Sequence, residues 1–135
     1  SENAAPNESK SITTNESESA ASNESTVNVN GREVSTVKIG NLEVMTEGLG
    51  EMDWDEAIKA CADLGDGWRL PTQDELNILY QNKDEIGGFV LDYYWSSTEF
   101  DNGIASGAWI QYFHAGSQAY DDKNDFNYVR AVRAF

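Results

Sequence analysis

Nucleophile, base and metal-ligand candidates are few in this sequence. Ser96-Ser97 would need a general base and an orienting partner within reach to attack a substrate. The chain has one histidine, His114, on a strand-like run with no evident partner, and no G-x-S-x-G elbow surrounds either serine. No triad assembles from these parts. Cys61 is the one cysteine, so it makes neither an intramolecular disulfide nor a multi-cysteine zinc site. At helical spacing with Trp54, Ile58 and Leu64 it reads as a small buried hydrophobe. The run Asp121-Asp122-Lys123-Asn124-Asp125 offers carboxylates of the kind calcium takes. Counted from Asp121, however, the third position of an EF-hand loop is Lys123 and the twelfth is no glutamate, so the run reads as a solvated acidic loop. No catalytic residue, metal ligand or cofactor is expected, and the chain is read as a non-enzyme.

What remains is the chemistry of recognition. In the strand-like run Ala108 to His114, alternation places Trp109, Gln111 and Phe113 on one face and Ile110, Tyr112 and His114 on the other. With the Trp109 face in the core, the second face points outward; with both faces covered, Tyr112 is simply packed. The segments 100–107 and 117–127 flank this strand and combine Asn, Asp, Ser and Gly with single aromatics. Such mixtures give contact area and adaptable hydrogen bonding. The candidate ligand-binding set is therefore Asn102, Ile104 and Ser106 from the first loop and Ile110, Tyr112 and His114 from the strand. The second loop adds Ser117, Tyr120, Asp121, Asp122, Asn124, Asp125, Phe126 and Asn127.

Several elements must hold these residues. Glu33 to Ile39 and Leu42 to Met45 are β-prone runs around Gly40-Asn41, a hairpin signal. Asp53 with Glu56 and Thr72 with Glu75 have the spacing of capping boxes, each followed by an apolar stripe of helical period. The first helix ends at Gly65, and Gly87-Gly88 breaks the second pattern. Tyr93 to Ser97, Ala108 to His114 and Tyr128 to Phe135 read as strands, with Asp121 to Asn127 a polar loop. Strands, two helices and further strands predict an α+β fold, with two helices packed on short, mainly antiparallel strands. Arg130 and Arg133, three apart on the last strand, face opposite sides, and one of them is expected to pair with a carboxylate near Glu99.

Composition sets the outer bounds. The chain has 135 residues, with 24 Asp and Glu against 9 Lys and Arg, a formal net charge of −15. That length suits one domain. The charge excludes a general nucleic-acid binder, which needs a basic stripe, and disfavours docking on anionic lipid. No apolar run approaches the ~20 residues of a membrane span, and no signal-peptide core is evident, so no direct membrane insertion is expected. Residues 1–30 are rich in Ser, Asn, Glu and Thr and read as a disordered polar tether, with residues 31–135 as the ligand-binding domain. The tether repeats Asn-Glu-Ser at Asn7, Asn15 and Asn23, a match to the glycosylation pattern that this composition produces by chance. A polar tether of this kind commonly follows a processed signal or a lipid-anchored N-terminus.

Four motifs in order carry a resemblance. They are Gly67-Trp68-Arg69-Leu70-Pro71-Thr72 with Asp74-Glu75-Leu76, then Tyr94-Trp95-Ser96-Ser97-Thr98-Glu99. Next come Ala108-Trp109 with Phe113 and Gly116, and finally Val129-Arg130-Ala131-Val132-Arg133. Together they resemble the Lcl C-terminal domain family over about residues 37 to 135. The resemblance implies a C-type-lectin-like fold of the formylglycine-generating-enzyme type. It does not bring that enzyme's activity, which depends on paired cysteines. It further implies a bacterial or phage protein, secreted, on the cell surface with a lipid anchor upstream of this chain, or on the phage particle. Characterised relatives act as adhesins or receptor-binding modules, some as trimers, so a homo-trimer is one expected state. Some are targets of diversity-generating retroelements, which rewrite adenine-containing codons near the C-terminus. The sulfated-glycan binding of the family's namesake needs a basic surface, which this chain lacks. The expected function is non-enzymatic binding of a protein or glycan ligand through the C-terminal face. A structural or oligomerisation module of a surface or phage-tail assembly remains the open alternative.

Overall fold

The computed structural model describes residues 24–135. The Asn-Glu-Ser triplets at Asn7 and Asn15, the residue Asn23 and the greater part of the expected tether lie outside the described residues. Within them the chain is α+β, with two sheets and short helices.

The first sheet begins with β1 (Glu24–Val29), β2 (Arg32–Ile39) and β3 (Leu42–Met45). The β2–β3 hairpin is as expected. Ile39 pairs with Leu42 across Gly40-Asn41, and Gly40 takes φ +59, the positive value that a two-residue turn with glycine first requires. The hairpin before it corrects the boundary drawn at Gly31. Residues 24–29, counted with the tether, form a strand paired to β2 from Glu24–Val37 to Val29–Arg32. The cause is local. Asn30 and Gly31 take φ +53 and +84, as a type I′ turn demands, and Asn-Gly is the dipeptide that most favours it. Val27 and Val29 then share a face, where Val29 is buried with Val34 and Met45.

The middle of the chain supplies β4 (Glu51–Met52), α1 (Trp54–Ala62), α2 (Gln73–Gln81) and the single turn α3 (Lys83–Ile86). Both capping boxes are formed: Asp53 and Thr72 accept from Glu56 and Glu75 backbone N–H, and each glutamate reaches back to its cap. The segment around Trp68 builds scaffold. Arg69 forks onto Glu75 at 2.6 and 3.0 Å, and its backbone bridges to Val132.

The second sheet runs β4-β8-β5-β6-β7, where β5 is Tyr93–Asp101, β6 Ser106–Tyr112, β7 Gln118–Asp121 and β8 Asn127–Tyr128. The first sheet runs β9-β3-β2-β1, with β9 at Val132–Ala134. The single last strand expected from Tyr128 to Phe135 is thus divided between the sheets. Its middle, Val129 to Ala131, crosses between them fully buried, bonded to Leu49 and Met45 backbone.

Alternation along β5 decides what the helices cover. Trp95 packs with Ala57 and Cys61 of α1, while Tyr94 packs with Leu76 and Leu79 of α2 on the opposite face. Burying an aromatic or leucine side chain is worth about 1.5–3 kcal/mol, so this double cover supplies much of the core.

The two arginines of the last segment correct their expected partner. Arg133 donates to Glu43 at 2.9 Å and lies over the Trp68 ring, whereas Glu99 pairs with Lys123. Arg130 is fully buried and forms no salt bridge among the described residues. Its guanidinium donates to the carbonyls of Met45, Gly87 and Gly88 and stacks on Phe89 at 3.9 Å.

Candidate functional site

The bulge in β5 between Trp95 and Glu99 is where scaffold and site meet. Trp54 Nε1 donates to the Ser96 carbonyl and Trp95 Nε1 to the Met52 carbonyl, each at 2.9 Å. Ser96 Oγ donates to the Trp109 carbonyl at 2.7 Å and accepts from Thr98 N, while Thr98 Oγ1 accepts from Gln73 N. Ser96 is thus occupied in locking the bulge to β6 and α2, with no base beside it. Cys61 is equally inert: burial pushes its thiol up to about 12, well away from a reactive thiolate.

Beyond the bulge, three aromatic rings stand together. Phe100 stacks on Tyr120 with centroids 4.0 Å apart and planes 12° apart. Trp109 meets both edge-on, at 5.4 Å from Phe100 and 6.4 Å from Tyr120. This platform lies on the α2 side of the sheet, past the helix's first turn, and Tyr120 is 45% exposed. The close approach of β6 to β7 depends on Gly107, whose added Cβ would fall 2.0 Å from the Asp121 carbonyl.

Two loops border the platform. In the first, Asn102 Oδ1 accepts from Ile104 N and Ala105 N, and Asp101 Oδ1 accepts from Gly103 N. These local bonds brace a loop that holds Ile104 96% exposed. In the second, Asp122 Oδ1 accepts from Asn124 N and Asp121 Oδ2 from Asn127 Nδ2. Asp125's carboxyl is raised above its ordinary range, first by its hydrogen bond with Asp121 and then by the charges of Asp121 and Asp122. Lys123 ties this loop down: Nζ donates to Glu99 at 2.6 Å and sits 4.4 Å from the Trp54 ring centroid. Its carbonyl accepts from Trp54 N. Gln118 does the same for the other flank, bonding to Gln73 and to the buried Gln111. Among the described residues no cluster of three His, Cys, Asp or Glu side chains is placed to hold a metal ion.

The expected set of site residues is only partly gathered here. Asn102, Ile104, Ser106, Tyr120, Asp121, Asp122, Asn124, Asp125 and Phe126 lie at the start of β6, on β7 or in the two loops, all exposed except the half-buried Asp121. Tyr112, His114 and Ser117 lie at the other end of β6, whose length is about 20 Å at the usual strand rise. There Tyr112 is half-buried and stacks on Tyr93 at 4.6 Å, with His114 exposed beside it. Two residues are corrected outright. Ile110, expected outward, is 6% exposed and packs with Trp95 and Ala108, because α1 covers that face. Asn127 is likewise 6% exposed, its amide spent on Asp121.

Phe100 and Trp109, which complete the platform, were not among the expected residues. Trp109 lies in the core only where one face of its strand is buried and the other free. In the structure both faces are covered mid-strand, and the α2 side opens only where that helix ends. An available signal was the placement of Phe100 and Tyr120 among Asp, Gly and Asn, where no core is formed.

Compared with models of known families, the chain matches the one described as the Lcl C-terminal domain, over residues 34–133. No curated protein matches it.

Proposed function

The chain belongs to the Lcl C-terminal domain family, and from that premise we propose that it is a non-enzymatic ligand-binding domain, displayed at a bacterial surface or on a phage particle. Its binding face consists of the Phe100–Trp109–Tyr120 platform and the two loops beside it. The mechanism is recognition, with aromatic rings supplying contact area and the loop Asn, Asp and Ser groups supplying hydrogen bonds.

One observation carries the reading. The Phe100, Trp109 and Tyr120 rings stand together beside two loops whose Asn102, Ile104, Asp122, Asn124 and Phe126 side chains are exposed. Gln118 and Lys123 tie the second loop to the scaffold, through Gln73 and Gln111 for Gln118 and through Glu99 and Trp54 for Lys123. An exposed aromatic platform beside braced polar loops supports a recognition surface. The buried Cys61 and the fully engaged Ser96 support a domain without bond-making chemistry.

The test is a mixed glycan and protein array probed with the full chain and with Tyr120→Ala. The expected result is a ligand held by the native chain and lost by the variant, with unchanged near-ultraviolet circular dichroism. A stable oligomer in light scattering that buries the platform, with no ligand retained, would overturn the reading in favour of an assembly module. In the source DNA, a near-copy of the segment encoding Trp95 to Phe135 beside a reverse transcriptase is expected to differ at its adenines.

A further inference from the structure

Resting on the ligand-binding reading above, we propose that the open edge of β7 and the adjoining aromatic platform dock an extended, lysine- or arginine-bearing segment of a partner protein, added to the sheet as a further strand. Among the described residues, strand β7 is the last of its sheet and pairs with β6 alone. Gln118, Ala119 and Tyr120 are exposed along it. Among the described residues the edge carries no proline, no lysine and no covering helix. An exposed edge of this kind supplies main-chain hydrogen bonds to an extended peptide, and the surface beside it supplies specificity for alternate side chains.

The platform indicates which side chains those are. A strand added to β7 would lie about 4.8 Å from it, with every second residue over the Tyr120 side of the sheet. A guanidinium or ammonium group placed there meets the face of Tyr120 turned away from its stacked partner Phe100, and such a face attracts cations. Charge points the same way. Asp101 ends β5 next to Phe100, Asp121 ends β7 next to Tyr120, and Asp122 and Asp125 follow. Lys123, the cation of the adjoining loop, is already held by Glu99 and Trp54. The formal net charge of −15 adds long-range attraction for a basic partner. One edge of the first sheet, β1, carries no aromatic side chain and offers no such combination.

The test uses the full chain, titrated by NMR with four probes. These are an acetylated, amidated Arg-Val-Arg-Val-Arg peptide, its Arg-Pro-Arg-Pro-Arg analogue, a Glu-Val-Glu-Val-Glu peptide and maltotriose. The Arg-Val peptide is expected to shift the amides of Gln118 to Asp121 and the Trp109 indole. It should bind about tenfold more tightly than the proline analogue, which carries the same charge but lacks strand-forming N–H groups. Raised salt weakens it, Tyr120→Ala weakens it about two- to fivefold, and the glutamate peptide does not bind. Equal binding of both arginine peptides, or shifts spread over the acidic surface without Gln118 to Asp121, overturns the proposal. Maltotriose shifting the platform in place of the peptide overturns it while leaving the ligand-binding reading intact, which the array decides separately.

Discussion

Replacing Lys123 by methionine tests whether the acidic loop is held by one side chain. Methionine keeps the length and packing of the stem and removes the charge. The lost ion pair is modest, since its side chains are 35% and 63% exposed; screening limits such a pair to about 0.5 kcal/mol. The contact with the Trp54 ring adds about 0.5–1 kcal/mol. The sum, about 1–1.5 kcal/mol, lowers the melting temperature of a domain this size by roughly 4–6 °C. The backbone bond from Trp54 N to the Lys123 carbonyl survives, so the loop loosens without leaving. Thermal denaturation followed by tryptophan fluorescence reads the global term, and amide exchange over Asn124 to Phe126 reads the local one. In the native chain, raised salt should remove the ion-pair share first. Unchanged melting together with unchanged exchange would refute the clamp. A loss above about 3 kcal/mol would place Lys123 among buried-network residues.

Two isoleucines of the expected set should part company. Ile110→Asp puts a charge among Trp95, Ala108 and α1 and is expected to unfold the domain, whereas Ile104→Asp, at a 96% exposed position, changes stability by less than about 0.5 kcal/mol. Circular dichroism melts of the two variants check this. Glu43 predicts a pH dependence. Burial alone would raise its pKa, but hydrogen bonds from Thr36 and Arg133, with the charges of Arg133 and Lys38, hold it below the ordinary 4.5. Because the folded value is the lower one, its stabilisation is present above the unfolded value and is lost as pH falls through the folded one. Urea unfolding between about pH 3 and pH 6 should show this acid-limb slope, and Glu43→Gln should flatten it.

What was legible in the sequence was local in origin. The capping boxes at Asp53 and Thr72, the Gly40-Asn41 turn, the buried Cys61 and the alternation along Ala108 to Tyr112 each depend on residues a few positions apart, and each stands in the structure. The Asn30-Gly31 turn was equally local, but a six-residue strand disappears when composition is averaged over thirty polar residues. Alternation separates two faces without saying which is covered, and that depends on where distant helices land. Here α1 arrives on the Ile110 side and α2 on the Gln111 side, ending short of Trp109. Only tertiary structure could therefore turn Ile110 inward and leave Phe100, Trp109 and Tyr120 as a platform. It alone chose Glu43 as the partner of Arg133 across 90 residues of chain, and three carbonyls for Arg130. It also sent the last strand into two sheets, because the path of Val129 to Ala131 follows the packing of both. Short-range hydrogen bonding and steric preference act within one turn or one strand and are written in adjacent residues. Face, partner and exposure arise when separate elements meet, and no spacing along the chain encodes that meeting.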